Sequence, residues 1–184
     1  MSTLLRTLGL AAIAGGVLRA VDSFTTQSFS AGTLAALYFA TDIFLLLGIA
    51  GIYWSRRTSL GLAGIIGSAV FTIGILLVRV SAFGALGSNG YQLGAAIALL
   101  GLAVLSGETL LRKLGGAGSA ILWLASLALG ILGALGVAPA VMVLAAGVAF
   151  GAGFITAGVE IFAAQGRPQS AQTATSTVTW LRSG

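Results

Sequence analysis

The stretch Leu37–Trp54, LYFATDIFLLLGIAGIYW, contains one charged residue, Asp42. It is apolar around its whole circumference, so no face of it suits water. At 1.5 Å per residue a helix of this run is about 27 Å long, close to the ~30 Å hydrocarbon core of a bilayer. The reading as a membrane span raises the question of why a carboxyl group stands inside it.

The composition extends that reading to the whole chain. Of 184 residues, 58% are hydrophobic and 7% charged, against about 25% charged in a soluble domain. The mean hydropathy is +1.07. Thirteen ionisable Lys, Arg, Asp and Glu side chains (9 basic, 4 acidic) cannot cover a water-facing surface of this size, so lipid is the expected solvent and the bilayer the expected partner. The 28 glycines agree with spans rather than oppose them, because small residues let helix backbones approach closely in lipid.

The chain has no cysteine and no histidine. Disulfides, thiolate chemistry, Cys/His zinc sites, histidine-ligated haem and Ser-His catalysis are thereby excluded, and no metal or cofactor is expected. The net charge of +5 does not indicate nucleic acid. The basic residues stand singly or in pairs between apolar runs, as membrane topology would place them.

Six runs approach the ~20 residues a span requires. They cover about Thr3–Ser23, Gly32–Trp54, Ser59–Phe83, Tyr91–Leu111, Gly118–Leu135 and Ala140–Phe162. The last two come from one uncharged segment, Leu114–Val159, divided at GVAP (Gly136–Pro139). Proline is at home in the first turn of a helix. Arg6, Arg56, Arg57, Arg112, Lys113, Arg167 and Arg182 then all fall on one side, and the loops TTQSFSAG, GALGSNG and GVAP carry no Lys or Arg. The positive-inside rule makes that side cytoplasmic, with both termini on it. The expected fold is an all-α polytopic bundle of six transmembrane helices over residues 1–163, in an inner (plasma) membrane of bacterial type. A polar, mobile cytoplasmic tail is expected over 164–184. Span one starts with Arg6 like a signal peptide, but Arg19 and Asp22 make a poor cleavage region, so it is expected to be retained.

Span one begins LGLAAIAGG (Leu8–Gly16) and span three LGLAGIIGS (Leu60–Ser68). Both carry an arginine near the outer end, Arg19 and Arg79, and each even span carries one acid: Asp42, Glu108 and Glu160. Repeated helical hairpins are one account of this pattern, and chance likeness among Ala/Gly/Leu runs is the other.

A carboxylate at mid-span costs about 2.5–3.5 kcal/mol, so all four acids are candidates for a role. Glu108 has Arg112 four residues on and should pair with it. Glu160 has Thr156 one turn earlier as an expected hydrogen-bond partner. Asp22 shares a face with Arg19 and should form a local ion pair. Asp42 has no basic neighbour on its own helix and lies ~15 Å in from the outer end. Its face carries Ala35, Tyr38 and Ile49. Asp42 is expected to face the bundle interior, with Arg79, Arg19 or Tyr38 as partner. The cluster Asp42, Tyr38, Arg79, Arg19 and Asp22 is the candidate site, and Glu108 and Glu160 are secondary positions.

Two roles fit Asp42: a polar clasp that sets helix packing, or an ion or solute site on a transport path. The first belongs to a non-catalytic accessory or assembly protein. The second belongs to a small transporter or channel with Arg19 and Arg79 in an outer vestibule. Catalysis is not expected, since Asp42 and Glu108 differ in depth by about half a bilayer and cannot act as a carboxylate pair. The small-residue series Gly147/Gly151, Ala149/Gly153, Gly61/Gly64/Gly67 and Gly130/Gly133/Gly136 mark close helix contacts, within the chain or with a second copy or another membrane protein.

Overall fold

Each expected span forms one helix. The computed structural model describes residues 2–25, 29–82 and 87–165. Its helices are α1 (Ser2–Thr25), α2 (Ala31–Arg56), α3 (Leu62–Ala82), α4 (Gly87–Leu111), α5 (Ala117–Ala134) and α6 (Pro139–Gln165). All six are long and apolar enough to cross a membrane, and no strand occurs among the described residues. The expected tail, with Arg167 and Arg182, lies outside the described residues from 166 onward.

Local chemistry sets the helix ends. Ser30 is extended (φ −62°, ψ 154°) and its hydroxyl accepts the Thr33 N–H at 3.3 Å, an N-cap that frees α2 from an orphan donor. Pro139 opens α6, where its missing N–H is not needed. Gly116 precedes α5 at φ +79°, and a Cβ there would strike the side chains of Arg56 and Glu160. Only glycine meets both demands.

The helices form a ring in chain order. α1 packs on α2, α3 on α4, α4 on α5 and α5 on α6, and α6 returns to α1. The most extensive contact is α3 with α4, and the slightest neighbouring contact is α2 with α3. α2 also reaches across to α6. Arg6, Arg56, Arg57, Arg112 and Lys113 lie at one end of the ring, here the basic end. The last residues of α1, α3 and α5 and the first of α2, α4 and α6 lie at the other, here called the outer end after the positive-inside expectation.

The bundle presents its large apolar side chains outward. Leu62, Leu93, Leu111 and Leu135 are 73%, 59%, 86% and 74% exposed, which suits lipid and would be untenable in water. Buried positions hold Ser68, Ser106, Ser119 and Ser126 beside Phe71, Trp123 and Phe154. Several hydroxyls bond the carbonyl one turn back, as Ser68 does to Gly64 at 2.9 Å and Thr109 to Leu105 at 2.8 Å. Such back-bonding satisfies a polar group where no water is at hand.

Close approach explains most of the small-residue series; in the Gly130/Gly133/Gly136 series only Gly133 is tightly faced, by Met142 and Val143, while a Cβ at Gly136 would meet open space and one at Gly130 only Leu99 at 3.9 Å. Gly16 of α1 and Gly151 of α6 face each other so closely that a Cβ on either would strike the other's carbonyl oxygen. Gly147 faces Ser23 of α1, Gly153 faces Trp123 of α5, and Gly67 faces Gly101 and Leu105 of α4. These glycines are therefore used within the chain. Gly16→Ala should destabilise the bundle by about 1–3 kcal/mol, because backbone lies opposite and cannot yield. Gly107→Ala, with open space around the new methyl, should change stability by less than about 0.5 kcal/mol. Unfolding of both variants in mixed micelles checks the contrast.

Candidate functional site

At the basic end two glutamates tie neighbouring helices together. Glu108 Oε1 accepts the Gly61 N–H at 2.7 Å and forms an ion pair with Arg112 Nε at 2.8 Å. The Arg112 pair is the one expected. The bond to Gly61, just ahead of α3, was not legible, because sequence spacing says nothing about the neighbouring helix. Glu160 differs from expectation. Its Oε2 accepts from Arg56 Nη2 at 2.9 Å and from Ser119 Oγ at 3.1 Å. Thr156 instead donates to the Ala152 carbonyl at 2.9 Å. A threonine inside a helix finds a backbone acceptor one turn back, whereas an anion gains more from a guanidinium.

Glu108 and Glu160 are equivalent in one respect: each holds the start of the preceding helix, α3 or α5. Asp42 stands in the outer half of α2 and does something different. The pattern of one acid per even span thus joins two kinds of site. Glu108→Gln should lower stability by about 1 kcal/mol, the difference between a charge-assisted and a neutral hydrogen bond. Thermal unfolding in detergent of the variant beside Arg112→Gln would show whether the Gly61 bond or the ion pair carries the effect.

In the outer half the ring does not close on itself. It encloses a cavity of about 860 Å³ to which all six helices contribute. Leu45, Ile75 and Phe150 lie at its inner limit. Below them Phe71, Trp123 and Phe154 fill the bundle centre. Phe154 packs in tilted geometry against three rings, at 5.6 Å from Phe71, 5.2 Å from Trp123 and 5.3 Å from Phe150, centroid to centroid. This aromatic floor separates the cavity from the basic half.

All five residues of the expected polar cluster line the cavity: Arg19 and Asp22 from α1, Tyr38 and Asp42 from α2, Arg79 from α3. Tyr91 and Ser126 join them from α4 and α5. Asp42 Oδ2 accepts a hydrogen bond from Arg79 Nη2. The pair bridges α2 and α3, the neighbours that otherwise touch least. Its side chains keep 15% and 17% of their exposure, so the cavity reaches them. Phe39 lies 5.2 Å from the Arg79 guanidinium, a cation–π contact that sequence spacing did not indicate. Of the partners expected for Asp42, Arg79 serves; neither Arg19 nor Tyr38 bonds to it.

Asp22 departs from its expected pairing. It forms no ion pair with Arg19. It is 2% exposed, and its Oδ2 accepts from the Thr41 hydroxyl at 3.1 Å. Its Oδ1 is buried with no hydrogen-bond partner among the described residues. Thr41 also donates to the Leu37 carbonyl at 2.9 Å, so one hydroxyl proton serves two acceptors. The i,i+3 spacing of Arg19 and Asp22 puts them on one face, yet the guanidinium turns elsewhere. It lies 5.9 Å from the Phe150 ring centroid. Among the described residues Arg19 has no ion-pair or side-chain hydrogen-bond partner. A hydroxyl in an apolar run beside Asp42 was the one available signal for Thr41.

No three carboxylates come together among the described residues. Compared with known proteins, the chain matches no family model, no curated protein and no solved structure. Fold and site therefore define a class from within: a multi-pass helical membrane protein with a charged cavity in one half of its bundle.

Proposed function

We propose that the protein is a small, non-catalytic carrier or binding protein of the inner membrane that takes a solute into the outer-half cavity. The cavity itself carries the reading. A clasp alone would have Asp42 and Arg79 enclosed by packed side chains; here they border a space of about 860 Å³, within the ~300–1,000 Å³ usual for small-molecule sites. Ionisable residues inside a membrane bundle mark pathways and binding sites more often than ornament. The clasp role is not displaced, since one ion pair can hold α2 to α3 and border a site. With both termini taken as cytoplasmic from the positive-inside pattern, the aromatic floor supports reading this arrangement as the outward-open half of an access path. An accessory role through outward glycine faces draws less support, because Gly16, Gly67, Gly147 and Gly151 face partners within the chain.

The thiol-free chain allows a direct test. Ala95→Cys places one thiol on the cavity wall, and Ala157→Cys places one at a fully buried position below the floor. A membrane-impermeant methanethiosulfonate should modify the first from the outside of intact cells and leave the second unmodified. Modification of Ala95→Cys only after permeabilisation would sink both the orientation and the outward-open reading.

A further inference from the structure

We infer that the cavity's ligand is an amphipathic monoanion, an oxyanion group on a compact apolar body, with the Arg19 guanidinium holding the anionic end. The inference rests on the proposed solute-binding role and names the solute's chemistry.

The first ground is charge. The cavity borders two arginines and two aspartates, but they are not equally available. Asp42 and Arg79 neutralise each other across α2 and α3. Asp22 is 2% exposed and its Oδ1 is covered, so neither a ligand cation nor water reaches that oxygen. Arg19 is half-buried and, among the described residues, its guanidinium has no carboxylate within ion-pair distance and no side-chain hydrogen bond. Of the groups a ligand can touch, Arg19, Arg79 and Asp42, the Arg19 guanidinium is thus the one whose hydrogen-bond donors are free. An unpaired guanidinium in a bundle of this kind is costly unless something occupies it.

The second ground is shape. Guanidinium presents a planar fork that matches carboxylate or phosphate bidentately. Phe150 lies against Arg19 and also borders the cavity floor, so the charge sits where an apolar wall begins. The rest of the wall is largely aliphatic and aromatic, with Leu34, Leu45, Ile75 and Leu99 among its members. A ligand that put its anionic group on Arg19 would lay its apolar body against these side chains. A bare inorganic anion would leave that wall uncovered, and a cation would meet Arg19 as a like charge.

A carboxylate solute from the outer medium and the phosphate of a lipid headgroup share this chemistry. Four compounds with one phenylpropyl body separate the alternatives: 3-phenylpropanoate (anion), 3-phenylpropanol (neutral), phenylalanine (zwitterion) and 3-phenylpropylammonium (cation). Binding of each to the full chain in phosphatidylcholine nanodiscs is measured by titration calorimetry. The variants are Arg19→Gln, Arg19→Lys and Gly130→Phe. The last fills the cavity from a position where the new Cβ meets only Leu99 at 3.9 Å.

The expected result is that 3-phenylpropanoate binds best, that Arg19→Gln weakens it by about tenfold or more, and that Arg19→Lys restores part of the loss. The alcohol should bind weakly, to wild type and Arg19→Gln alike, which also reports that the variant is folded. Gly130→Phe should abolish both. Loss of 3-phenylpropanoate binding in phosphatidylglycerol nanodiscs at high salt, where the anionic surface no longer repels the ligand, supports the oxyanion site and assigns its occupant to an anionic lipid headgroup; undiminished binding there assigns it to a free solute. Equal affinity of wild type and Arg19→Gln for 3-phenylpropanoate, or tighter binding of the zwitterion or the cation, overturns the anion assignment while the cavity reading stands. If neither the anion nor the alcohol binds wild type, both fall together.

Discussion

Asp42→Leu should destabilise the bundle by about 3 kcal/mol, and Asp42→Asn by half of that or less. Removing one partner of a buried ion pair typically costs about 3–5 kcal/mol, because the remaining charge is stranded. Here the stranded group would be Arg79, whose Nε already has no hydrogen-bond partner. The cavity leaves the pair 15% and 17% exposed, so water can relieve part of the penalty and the lower end of that range applies. Asparagine keeps an acceptor for Arg79 Nη2 and so retains the hydrogen bond while losing the charge assistance. The double variant Asp42→Leu/Arg79→Met should recover most of the loss, since two apolar side chains leave no charge behind. Equilibrium unfolding in mixed micelles measures all three. If Asp42→Leu proves as stable as wild type, the carboxyl group is held against stability and its purpose lies in the ligand site.

The second large effect is expected at the floor. Phe154 is fully buried and packs against three aromatic rings. In water Phe→Ala in a core costs about 3–5 kcal/mol, part from transfer and part from the void left behind. In a bilayer the unfolded helix keeps the ring in lipid, so most of the transfer part drops out and the lost packing remains. Phe154→Ala should therefore cost about 2–3 kcal/mol. It should also thin the barrier between cavity and basic half. In the Phe154→Ala background, Ala157→Cys, one turn further along α6, should become reactive to an impermeant thiol reagent added from outside. An unchanged, unreactive thiol would show that Phe71 and Trp123 seal the floor without Phe154.

The span count and the grouping of basic residues were legible because each is a local property, whereas the loop GALGSNG was read too long, since Gly87–Gly90 already belong to α4. A run such as Leu37–Trp54 reports its own hydrophobicity, and Arg56–Arg57 its own charge. The pair Glu108–Arg112 was legible for the same reason, being one helical turn apart. Asp42 could be read as needing a partner from another helix, since its own helix offered none. The pairing of Asp22 failed because spacing on one helix ranks a local arginine first, while packing brought Thr41 of α2 to the carboxylate. Arg56 was read as a topology marker, and its bond to Glu160 depends on α2 leaning across the ring to α6.

What the sequence determined by itself is thus the solvent, the number of helices and their alternation across the membrane. These follow from transfer free energies summed along the chain, which require no knowledge of neighbours. Only the tertiary structure decided which charges are satisfied and which are left over. The ring order places α1 between α2 and α6, so that Thr41 takes Asp22, Arg79 takes Asp42 across the loosest seam, and Arg19 comes to rest on Phe150 beside a cavity. Leftover charge and leftover volume are differences between six packed surfaces, and no single helix carries either.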